Sequence, residues 1–144
     1  MKNQHSAFLT LSEHLTGFDS VELLGTGMLE DYYLCVMENI GNLDPERLWS
    51  IATTLDRLKK LGNEAALARE IRHLLFSDAD IQPISKNIIR LWYTGTWRMK
   101  PNDSFSSVVV SPEAYQEGLI WKLAHAHPPG AKQPGFGSWA EQPR

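Results

Sequence analysis

A single cysteine, Cys35, stands in the whole chain. That excludes a disulfide within the chain and any zinc cluster built on several thiolates. A basic stripe is also missing: 14 Lys and Arg are scattered among 17 Asp and Glu, for a net charge of −3. Without concentrated positive charge there is no phosphate-neutralising surface, and nucleic acid is excluded as a partner. Polar residues interrupt every apolar run before it reaches the ~18 to 20 residues of a membrane span, so direct membrane insertion is not expected. The opening MKNQHSAFLTLSEHLTG lacks a basic start, an unbroken apolar segment and a small-residue cleavage site. The chain as written is expected in the cytoplasm, and in the periplasm if a leader was removed or a partner supplies the signal.

Catalytic fingerprints are lacking too. There is no G-x-G-x-x-G and no Walker A loop, and Gly25-Thr26-Gly27 is too short to count as either. No G-x-S-x-G and no cysteine-protease context surround a nucleophile, and Cys35 lies on an apolar helical stripe as a small core residue. No catalytic residue and no cofactor-binding residue is assigned in this chain. Glu70 and His73 form one E-x-x-H pair, the spacing used in di-iron bundles. Such sites need two of these motifs, so a surface i, i+3 pair is the plainer reading and no metal is assigned. His125 and His127 fall at a helix end beside two prolines, where cations suit the helix dipole.

What is present is helical periodicity. With 42% apolar and 22% charged residues, the 144-residue chain suits one domain with its own core. Phe8, Leu11 and Leu15 mark an opening helix stopped by Gly17. Asp19 and Glu22 read as a capping box, followed at helical spacing by Val21, Leu24, Met28, Tyr32, Cys35 and Val36, with a break allowed at Gly25 and Gly27. Asp44 and Pro45 start the most secure helix, through Leu48, Ile51, Leu55 and Leu58 to Gly62. Leu67, Ile71, Leu74 and Leu75 give another stripe, and Ile84, Ile88, Leu91 and Trp92 a further one after Pro83. Thr96 to Ser107 reads as a loop, Val108 to Val110 as a brief extended piece, and Ser111-Pro112 as a helix start leading through Tyr115, Leu119 and Leu123. The fold class is all-α: a small irregular domain of about five to six helices over residues 1–127, then a Pro/Gly-rich extended tail over 128–144.

The tail, PPGAKQPGFGSWAEQPR, combines four prolines and three glycines with Phe136 and Trp139. Two rings supply too little burial to offset the ordering of so many residues, so docking on a partner is expected, with folding back on the chain's own core as the alternative. Trp92, Tyr93 and Trp97 form a second aromatic group. Trp92 fits the core, whereas Tyr93 and Trp97 lie on other faces of the segment and suit an interface, or else all three fill one core around a bend.

Three segments carry a resemblance. FLTLSEHLTG (Phe8 to Gly17), IIRLWYTGTW (Ile88 to Trp97) and QPGFGSWAEQP (Gln133 to Pro143) resemble, in this order, parts of the small subunits of membrane-associated flavin dehydrogenases for glucose, fructose and sorbitol, the sorbitol dehydrogenase small-subunit family. The resemblance implies a non-catalytic subunit needed for folding, flavin loading, stability or export of a catalytic large subunit of the glucose-methanol-choline type. It implies FAD in that large subunit and none in this chain, a multihaem cytochrome c in the wider complex, and export by a twin-arginine leader. Trp92, Tyr93, Trp97, Phe136 and Trp139 are then the expected partner contacts. Two rival readings are a stand-alone metal-binding or catalytic protein using Glu70 and His73, and a transient chaperone that releases its client.

Overall fold

The computed structural model describes residues 2–125, and the tail expected over 128–144, with Phe136 and Trp139, lies outside them. Among the described residues the fold is all-α, with one short two-stranded sheet. The chain divides into two compact units, one up to Ile89 and one from Arg90 onward, where the periodicity had suggested a single helical domain over 1–127.

In the first unit, α1 (Lys2–Thr16) ends where Gly17 takes a positive φ of 80°, as its position had predicted. The capping box at Asp19 forms, its carboxylate accepting from the Glu22 amide at 2.8 Å, and starts α2 (Ser20–Gly25). The chain then breaks before α3 (Leu29–Asn39), so the stripe expected from Val21 onward is cut and re-phased. Val21 and Leu24 end up exposed while Leu23 is buried, a correction to that stripe; Met28, Tyr32 and Val36 hold their core places. Asp44 caps α4 (Pro45–Lys60) through the Glu46 amide at 3.0 Å, with Pro45 in the first turn. Leu48, Ile51 and Leu55 line its buried face.

Helix α1 packs on α4, and an aromatic group joins them to α3. Tyr33 stacks on Trp49 at 6.2 Å between centroids, and Phe8 meets Trp49 edge-on at 6.4 Å. On the other side His5 stacks on Tyr33 at 4.0 Å while its Nε2 pairs with Glu30 at 2.6 Å. The Tyr33 hydroxyl donates to Gln4 at 2.5 Å. Asn63 then caps α5 (Glu64–Ile71), which runs into one turn of π-helix, Arg72–Phe76. A π-turn holds an extra residue, which shifts the phase of the side chains behind it. Of the stripe Leu67, Ile71, Leu74 and Leu75, only Leu75 is therefore buried.

Helix α6 (Gln82–Thr94) begins in the first unit and ends in the second. Beyond Gly95 the second unit holds β1 (Thr96–Arg98), a single 3₁₀ turn (Ser104–Ser106) and β2 (Ser107–Val109). The strands pair antiparallel, with Thr96 opposite Val109, Trp97 opposite Val108 and Arg98 opposite Ser107. A loop had been expected over Thr96 to Ser107; no alternation marks so short a strand, and only pairing with the valines creates it. Ser111 caps α7 (Pro112–Glu117) through the Ala114 amide at 3.0 Å. Gly118 then separates it from α8 (Leu119–Leu123), dividing what had read as one helix.

Candidate functional site

The aromatic segment Ile88 to Trp97 spans the end of α6, the Gly95 turn and β1. Gly95 adopts a φ of 70°, its amide donates to the Leu91 carbonyl at 2.8 Å, and its carbonyl accepts from the Val110 amide at 2.9 Å. A Cβ at Gly95 would lie 2.5 Å from the Ala114 backbone, and one at Gly118 would lie 2.6 Å from the Tyr93 carbonyl oxygen. Ala114 of α7 thus presses against the Gly95 turn, and Gly118 beyond α7 against the end of α6. Trp92 is 1% exposed and Trp97 4%, whereas Tyr93 is half-buried. Burial of Trp97 fits the reading in which the aromatic group fills a core around the bend, and not the one in which Trp97 faces outward. Of the five expected partner contacts, Tyr93 alone offers described surface, and Phe136 and Trp139 lie outside the described residues.

The first unit carries an open pocket of about 520 Å³ between the start of α4, the π-turn and the start of α6. Arg47 reaches Asp78 at 2.8 Å and Asp80 at 3.8 Å across it. The Asp78 carboxyl is held below its usual range, first by the Asp80 amide, then by the Ile81 amide and by Arg47. Asp44 is engaged with the Glu46 amide, and the Ser77 hydroxyl donates to the Arg72 carbonyl at 3.1 Å. The Arg47 pairing ties the start of α4 to the turn before α6. His73 lines this pocket from the π-turn, but Glu70 is not part of the lining. Among the described residues no cluster of three or more metal-ligating side chains forms.

Cys35 is half-buried, and its thiol is pushed up to about 11, chiefly by burial and then by Glu38, against a hydrogen bond from Asn39. A thiol held protonated at neutral pH is a poor nucleophile. No helix among the described residues is long and apolar enough to cross a membrane. His125 sits at the end of α8 with a φ of 53°, and His127 lies outside the described residues.

Sequence reasoning missed the apolar surface of the second unit. Phe105 is 98% exposed, and Met99, Val109, Ile120 and Leu123 are each more than a third exposed. The available signal was Phe105 itself, one ring isolated in the turn-forming run KPNDSFSS. Fold and site together define a small helical protein with an open pocket in its first unit and exposed apolar side chains in its second. Comparison with protein-family models, curated proteins and solved structures finds no match.

Proposed function

We propose that the chain is the non-catalytic small subunit of an FAD-dependent sugar, polyol or alcohol dehydrogenase of the glucose-methanol-choline type. The observation that carries this reading is the order of three family-like segments along most of the chain, Phe8 to Gly17, Ile88 to Trp97 and Gln133 to Pro143. The first is the second half of α1 with its glycine stop, and the second is the aromatic turn clamped by α7. Both are therefore architectural segments, as suits a subunit that lends shape to another protein.

On this reading FAD and hydride transfer belong to the large subunit, and a multihaem cytochrome c accepts the electrons. Tyr93, Phe136 and Trp139 contact the large subunit, while Trp92 and Trp97 are core residues before and after the Gly95 turn. The compartment follows the partner's export signal or a leader on this chain. Producing the large subunit with and without this chain tests the role. The expected result is that flavin content and dehydrogenase activity both collapse without it, and that the two proteins co-elute when made together. A large subunit that reaches full flavin occupancy and activity alone would refute the proposal.

A further inference from the structure

The hairpin of the second unit has an open edge along β2. At one end of its ladder the Val110 amide donates to the Gly95 carbonyl at 2.9 Å, and at the other the Met99 amide donates to the Ser106 carbonyl at 3.2 Å. In an antiparallel pair, residues that bond across the ladder alternate with residues whose backbone groups face away. With Trp97 opposite Val108 and Thr96 opposite Val109, the groups facing away along β2 and its continuation belong to Ser107, Val109 and Ser111. Ser111 has φ −164° and ψ 163°, so the extended line runs on past the end of β2. Two of these outward groups are used locally: the Ser107 amide donates to the Ser104 carbonyl, and the Ser111 carbonyl accepts from the Tyr115 amide at 3.1 Å. Four have no partner among the described residues, namely the amides of Val109 and Ser111 and the carbonyls of Ser107 and Val109.

We propose that this edge is an interface between two copies of the chain, with β2 pairing antiparallel to its counterpart across a twofold axis at Val109. The four open groups are self-complementary. Such an axis sets Val109 opposite Val109 and Ser111 opposite Ser107. The Val109 amide of each copy then donates to the Val109 carbonyl of the other, and the Ser111 amide of each to the Ser107 carbonyl of the other. Every open group is filled, and neither group already engaged is called upon. A slip of one residue would instead bring up backbone groups that are bonded to β1. The run from Ser104 to Pro112 is uncharged, so no like charges meet across the axis. Its interior also lacks the lysine or proline with which proteins commonly blunt an edge strand. Val108 and Val109 are about half exposed beside this edge, and the antiparallel arrangement carries the exposed Phe105 toward the Ser111 end of the other copy. Pairing turns a marginal two-stranded hairpin into a four-stranded sheet of order β1-β2-β2-β1. The contact is shorter than a standard interface, so the dimer forms and dissolves with concentration. Self-pairing does not depend on the large-subunit role proposed above.

Sedimentation velocity of the purified full-length chain, from about 10 μM to about 1 mM to cover weak association, reads the result directly. Wild type should move from the one-chain toward the two-chain mass as concentration rises. Val109→Pro loses the outward amide without breaking a bond to β1, so it should keep the wild-type circular dichroism and stay at the one-chain mass throughout. Should proline disturb the hairpin, Val109→Lys gives the same reading by setting two cations at the axis. In a Cys35→Ser background, Val109→Cys should form a disulfide-linked dimer on mild oxidation at least ~10-fold faster than Met99→Cys, because position 109 meets its own counterpart at a Cα separation of about 5.5 Å. A wild-type chain that keeps the one-chain mass at every concentration would overturn the proposal. Equal association of wild type, Val109→Pro and Val109→Lys would remove β2 from the interface and overturn it as well. Hydrogen-exchange protection of the Val109 and Ser111 amides in the one-chain species would assign the edge to another segment of the same chain. Protection that appears only on adding the flavoprotein large subunit would assign it to that partner, and either pattern ends the twofold pairing.

Discussion

A single methyl group should separate two glycines that share a backbone conformation. Gly62 and Gly95 adopt φ of 78° and 70°, but a Cβ at Gly62 meets open space while one at Gly95 meets the Ala114 backbone at 2.5 Å. Gly62→Ala should cost about 1 kcal/mol, the price of a left-handed alanine. Gly95→Ala adds overpacking against backbone that cannot rotate away, for a total of about 3 kcal/mol or more. Urea unfolding of the two variants checks this, and equal midpoints would show that the second unit yields at Ala114. The role of Gly62 was legible in the sequence because a helix stop is local. That of Gly95 was not, since its neighbour arrives from the next helix.

Between elements, α1 and α4 were the most readable, since their ends are written in residues beside them: Gly17, Asp44, Pro45 and Gly62. The π-turn and the division at Gly118 were not readable, because each is set by what the helix meets rather than by its own composition. The α1–α4 packing also makes a pH dependence. His14, in the last turn of α1, is half-buried, and its pKa is lowered first by burial and then by Lys59 of α4, with Asp56 opposing. The unfolded chain then binds a proton that the folded chain resists, so acidification favours unfolding. Stability should be at its full value above the ordinary histidine value of 6.5 and decline as pH falls below it. Urea midpoints at pH 7.5 and about 5.5 measure the decline, and His14→Gln should shrink it. An unchanged slope in His14→Gln would assign the acid sensitivity to other groups.

For the molecule as a whole, folding and association should be separable by shortening the chain. The buried apolar side chains of the described residues run from Phe8 to Leu119, and the last described helix ends at Leu123. A chain ending at residue 125 keeps all of them, so its helical circular dichroism and its thermal midpoint should match those of the full chain. It loses Phe136 and Trp139, the tail rings assigned above to the large subunit. Loss of a buried aromatic anchor costs about 2 kcal/mol or more at an interface, so the shortened chain should fold normally yet bind the flavoprotein at least ~30-fold more weakly. If the shortened chain unfolds instead, the tail belongs to the chain's own core.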